Sequence, residues 1–167
     1  MRLSHVDGEG RPRMVDVAAK PETTRVAVAE GSIRMSPEAF SLIAGNSNPK
    51  GDVLSTAELA ATLGAKRTAE LIQLCHPIGL DHVEVRAQPD SDLPGVRIRA
   101  QAKAVGRTGV EMEAMTAVAV ALLTVYDMVK SAGHDLEIEN IRLLQKSGGK
   151  TGEWHRPDHD STRLREG

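Results

Sequence analysis

The segment EMEAMTAVAVALLTVYDMVK, residues 111 to 130, constrains the fold more than any other part of the chain. An uncharged run of thirteen residues, Ala114 to Tyr126, lies between Glu113 and Asp127. Such a run is built for burial, so other elements must surround it. It is shorter than the roughly 20 residues that cross a bilayer, which makes it a core helix and leaves no membrane span to expect. The ionisable groups at its edges, Glu111, Glu113, Asp127 and Lys130, then need a reason to be there.

The elements around it read as follows. TTRVAVAEGSIRM alternates as a strand does, and SPEAFSLIAGN follows with Ser36 as N-cap, Pro37 at the first helical position and Gly45 near the end. A second helix is predicted from about Val53, with a capping box from Ser55 to Glu58 and a stop at Gly64; a third, short one covers AKRTAELIQLC. LDHVEVRAQ and GVRIRAQAKAV form a hairpin across PDSDLP. Thr108 and Glu111 have the spacing of a capping box for the long helix, which closes at Gly133, and LEIENIRLLQ is the last strand. This order predicts an α+β fold, a ferredoxin-like antiparallel sheet with helices packed on one face. Residues 1–167 read as one domain, with mobile ends at 1–13 and 153–167.

Composition excludes several classes of function. Aromatic residues are only 2% of the chain, so Ala, Val, Leu, Ile and Met must fill the core, and the stacking platforms of nucleic-acid binders are missing. A net charge of -2 also argues against a broad phosphate-backbone surface, and no nucleic-acid partner is expected. An RNA-binding domain of this topology would carry aromatics on adjacent strands, where VEVRAQ and VRIRAQAK have none. The lone Cys75 cannot form an intramolecular disulfide and no apolar signal segment follows Met1, so the cytoplasm is the expected compartment.

Glu113 and Asp127 are roughly 21 Å apart along one helix axis, too far for one small substrate to touch both. If both serve one reaction, two copies of the helix must meet, or one end must meet other segments at a subunit interface. Glu111 has a plain role as the N3 partner of Thr108, and Glu113 suits the positive end of the helix dipole. Asp127 is opposed by the dipole, and Lys130 three residues on makes with it either a surface pair or a proton-transfer couple. In LIQLCHPIGL, Pro77 disfavours further helix at His76, so Cys75 and His76 sit at a helix-to-loop break. No CxxC or HExxH occurs, and no metal site is predicted. QKSGGKTG fails as a Walker A, because Leu144 stands where Gly is required, yet Gly148 and Gly149 between Lys146 and Lys150 could present amides and ammoniums to phosphate.

Six segments taken together carry a specific resemblance: MVDV at 14 to 17, KGD at 50 to 52, KRTAELIQLCHPIGL at 66 to 80, TGVEMEAMTA at 108 to 117, TVYDMVK at 124 to 130 and LLQKSGGKTG at 143 to 152. They resemble the cyclic pyranopterin monophosphate synthase family of molybdenum cofactor biosynthesis, from about His5 to Glu153. The resemblance implies a homohexamer, a trimer of dimers, with active sites at subunit interfaces. It implies as substrate the cyclised guanosine triphosphate derivative, which is rearranged to a pyranopterin while a cyclic phosphate closes and pyrophosphate leaves. Asp127 and Lys130 match the family's catalytic pair. Leu74, Cys75 and His76, with Met112 and Glu113, match substrate-binding segments, and Glu111 is placed with them; Lys50 and Lys146 match its phosphate-contacting lysines. No cofactor is implied, and Mg²⁺ could accompany the triphosphate. A nucleotide-sensing module on the same scaffold is the competing reading; it would need the phosphate and base contacts but not the Asp127–Lys130 couple.

Overall fold

In the computed structural model, which describes residues 9–150 and 152–157, the alternating stretch becomes β1 (Thr23–Arg34) at the centre of the sheet. The hairpin is β2 (His82–Asp90) and β3 (Gly95–Gly106), the last long strand is β4 (Glu137–Ser147), and a short β5 (Trp154–His155) adds to its edge. The order is β2-β3-β1-β4-β5, with every pairing antiparallel. Helices α1 (Pro37–Ala44), α2 (Val53–Lys66) and α3 (Thr68–Leu71) connect β1 to β2, and α4 (Glu111–Val129) connects β3 to β4. The first four strands therefore have the predicted ferredoxin-like arrangement.

The core lies between the sheet and the α2–α4 pair. Ala27, Ala29 and Ile33 of β1, Ile98, Ala100 and Ala102 of β3, and Ala114, Ala117, Val118, Ala121, Leu122 and Val125 of α4 are essentially fully buried. So much alanine lets backbones approach closely, which is how a chain nearly free of aromatics fills its interior. With its last turn, α4 is long and apolar enough by composition to cross a membrane, but its burial beneath α2 and the sheet marks it as a core helix. The opposite sheet face is polar and carries ion pairs, Arg142 with Glu30 and Arg34 with Glu137 and Glu139.

Gly64 marks the closest approach of the two helices, since a Cβ there would lie 2.7 Å from Val120 Cγ2 and 2.9 Å from its Cβ. Gly64→Val is expected to destabilise the protein by about 2–3 kcal/mol, because overpacking of this kind outweighs the few tenths gained by removing a helical glycine. Chemical denaturation measures it, and a midpoint at or above the parent value would contradict this packing.

Helix starts differ from the predicted caps in two places. Ser36 caps α1 as predicted, its Oγ accepting from Ala39 N at 3.2 Å. The cap of α2 is Asp52, whose Oδ1 accepts from Ser55 N at 3.0 Å, while Glu58 accepts from Ala87 N at 2.8 Å and so satisfies a backbone donor of β2. The capping box at Thr108 does not form either: Val110 is the N-cap of α4 and no side chain caps it. The third helix shrinks to one turn, because Arg67 leaves helical geometry on one side and Ile72 on the other. The tail, predicted to be mobile from 153, contains β5; the outer parts of both ends, residues 1–8 and 158–167, lie outside the described residues.

Candidate functional site

At the C-terminal end of α4 a carboxylate sits between two ammoniums. Asp127 Oδ1 is 2.6 Å from Lys130 Nζ and its Oδ2 is 3.3 Å from Lys50 Nζ. Lys50 Nζ also donates to the Asp127 carbonyl at 2.7 Å, one of the carbonyls that the end of a helix leaves without an intrahelical partner. Hydrogen bonds and charge from Lys130, then Lys50, hold the Asp127 carboxyl below its ordinary value, and Asp127 in turn raises Lys130. Asp127 therefore stays ionised and Lys130 protonated in the free subunit. All three side chains are largely exposed, so the cluster is presented outward.

At the N-terminal end of α4 the groups are of two kinds. Glu111 turns back over Gly109 and accepts from Lys146 Nζ at 2.8 Å, which is why it is not available to cap the helix. Around this pair Lys20, Arg25, Arg107 and Lys150 line a cleft of about 410 Å³, with Thr23 beside them. Thr23 Oγ1 is buried without a hydrogen-bond partner among the described residues. Gly148 and Gly149 have positive φ, and a Cβ on Gly148 would fall 2.2 Å from the Thr24 carbonyl oxygen, so the close approach of this loop to β1 requires glycine there. On the other side Glu113 is buried, and burial followed by the charge of Glu111 raises its carboxyl. Burial and then Glu113 raise the Cys75 thiol, which keeps it a protonated neighbour rather than a thiolate. His76 Nε2 donates to the Val15 carbonyl at 2.8 Å, tying the MVDV segment to this end and leaving Nδ1 as the other ring nitrogen for a ligand.

The sequence-derived residues thus fall into two groups. Lys50, Asp127 and Lys130 come together; so do Glu111 and Lys146, and Glu113 and Cys75, with His76 next to Cys75. Leu74 and Met112 are partly exposed near the second group by sequence position. Within one chain the groups do not converge: Lys146 pairs at one end of α4 and Lys50 at the other. Lys20, Arg25 and Arg107 were not singled out from sequence. Arg25 and Arg107 are brought together by the β1–β3 register, in which Thr24 faces Val105, and no local motif announces any of the three. Among the described residues no three His, Cys, Asp or Glu side chains gather as metal ligands.

The sequence pattern of the MoaC family matches residues 14–149. A protein of Brucella melitensis biotype 2 named cyclic pyranopterin monophosphate synthase is 52% identical over 162 residues, which covers 97% of this chain and 98% of that one. The protein of the same name from Brucella ovis is 54% identical over 153 residues, covering 92% and 93%.

Proposed function

The chain belongs to the MoaC family, and on that premise we infer that it is a cyclic pyranopterin monophosphate synthase, the name its relatives carry. Its substrate is the cyclised guanosine triphosphate derivative of molybdenum cofactor biosynthesis. The purine-derived ring is rearranged to a pyranopterin; a ribose oxygen bonds to the α-phosphorus as the bond to the β-phosphate oxygen breaks, and pyrophosphate leaves. The observation that carries this reading is the pairing of a proton-transfer cluster, Lys50–Asp127–Lys130, with a strongly basic cleft around Lys146.

The cations of the cleft suit the phosphates and the charge that develops on the leaving pyrophosphate. Asp127, ionised between two ammoniums, accepts a proton from a ring or hydroxyl position, and Lys130 supplies one. Glu113 and Glu111 are assigned to the guanine-derived amide and amine edge, and His76 to the same substrate.

Both ends of α4 reach one substrate only if two chains meet, since Glu111 and Asp127 are about 24 Å apart along the axis. The surface between the ends fits such a meeting: Met112 and Leu123 are exposed, Met115, Ala119 and Tyr126 are half-buried, and all five share one helical stripe. A two-fold axis near Ala119 sets the stripe against its own copy in the antiparallel sense. Each Asp127 cluster then faces the partner's Glu111–Lys146 end, giving two sites per dimer, and three such dimers make the homohexamer.

Folded protein supplied with the cyclised guanosine triphosphate is expected to release pyrophosphate and cyclic pyranopterin monophosphate; absence of both products would overturn the assignment. Lys146→Ala is expected to raise KM roughly tenfold or more, the worth of one charge-assisted hydrogen bond, with a smaller change in kcat. An unchanged KM would remove Lys146 from phosphate contact.

A further inference from the structure

Lys50 reaches Asp127 from a loop, and a loop lysine is held in one place only if the loop is. The segment Gly45–Asp52 has three fixed points. Asn46 adopts a left-handed φ of 46° just past α1, with its N–H bonded to Ile43 O at 3.0 Å. Gly51 has φ 99°, with its N–H bonded to Asn48 O at 3.0 Å, and Asp52 follows at once as the cap of α2. The third point is Asn48, one of the few buried polar side chains, only 9% exposed. Its Oδ1 accepts from Lys50 N at 2.8 Å, and its Nδ2 donates to the Met128 carbonyl at 3.0 Å. One amide therefore closes the turn that carries Lys50 and also binds that turn to the last turn of α4, one residue from Asp127.

We propose that Asn48 is a positioning residue for catalysis, the tether that holds the Lys50 ammonium on Asp127. This rests on the reading of Lys50–Asp127–Lys130 as the proton-transfer cluster. Both polar ends of the amide are used, and the burial of the group makes each bond costly to lose. The Met128 carbonyl belongs to the helix end, where no intrahelical donor exists, so the bond is free to serve an incoming loop. Without it, Lys50 keeps its charge but loses its fixed distance to the carboxylate, and misplacement of a catalytic group by about 1 Å can cost on the order of 100-fold in rate.

Asn48→Asp separates the two jobs of the side chain. The carboxylate is isosteric and still accepts from Lys50 N, so the turn is kept, but it cannot donate to Met128 O. N48D and N48A are both expected to lower kcat, per mole of folded protein, at least about tenfold, with KM for the cyclised guanosine triphosphate changed much less and oligomer size unchanged, while the melting temperature falls by a few degrees as the buried bonds are lost. A merely structural role predicts instead that N48D turns over at the parent rate, or that activity falls only in proportion to the loss of folded protein; either result overturns the tether. Lys50→Ala, assayed beside them, separates the failures. A fully active K50A would remove Lys50 from the site and with it the reading of Lys50–Asp127–Lys130 as the proton-transfer cluster, whereas an inactive K50A beside a fully active N48D would reject Asn48 alone.

Discussion

Asp127→Asn is expected to lower turnover by about 100-fold to 10,000-fold, the contribution of a positioned acid–base group, in a protein that stays folded. The amide has nearly the shape of the carboxylate but carries no charge, and it can neither take a proton nor hold two ammoniums. Lys130 at 2.6 Å and Lys50 at 3.3 Å would be left as two like charges without the anion between them. The fold does not depend on this cluster, because Asp127 and Lys130 lie largely in solvent and the core side of the same helix is packed independently by Val125, Met128 and Val129. Exposed ion pairs contribute little to stability, so circular dichroism and melting should match the parent. Lys130→Ala is expected to lose turnover for the complementary reason, removal of the proton donor that pairs with Asp127 and lowers its carboxyl. Near-parent product formation by either variant would contradict the assignment of these two groups to the chemistry; only a parent protein that binds the nucleotide and forms no product would leave a sensor of phosphorylated nucleotides, which needs the basic cleft but no proton-transfer couple, as the better reading.

The sequence made some of this site legible and hid the rest, for reasons that can be traced to particular residues. The long helix, the central strand and the hairpin are written in hydrophobic period, and Ser36–Pro37 is a local signal that the structure uses as read. Asp127 with Lys130 is also local, three residues apart on one helix end. Lys50 is not: it joins them only because Asn48 and the helix-end carbonyls tie the loop between α1 and α2 to the end of α4. Capping boxes at Thr108 and Ser55 satisfied the spacing rule but lost to longer-range partners, Lys146 taking Glu111 and Ala87 taking Glu58. The two-residue strand Trp154–His155 has no period to read, and it is held by Arg156, whose N–H bonds Leu144 O at 2.8 Å and whose guanidinium lies over the Trp154 ring. Arg25 and Arg107 reach the cleft from two strand ends whose neighbourhood only the register defines.

The division of the site between chains that we propose would explain why one helix carries candidate site groups at both ends of a buried run. It would also cover the exposed apolar stripe from Met112 to Leu123. The direct measurement is subunit complementation between Asp127→Asn, defective at one end of α4, and Lys146→Glu, which reverses a charge at the other. Each variant alone is expected to be inactive at low substrate concentration, since every site in its oligomers carries the lesion. When the two are unfolded and reassembled together in equal amounts, half of the dimers pair one of each chain. Such a dimer has one site with both lesions and one with neither, so activity should return to about a quarter of the parent value. A mixture that forms mixed oligomers and yet stays as inactive as its two parents would mean that each chain holds its own site, and would contradict a catalytic centre built from two subunits.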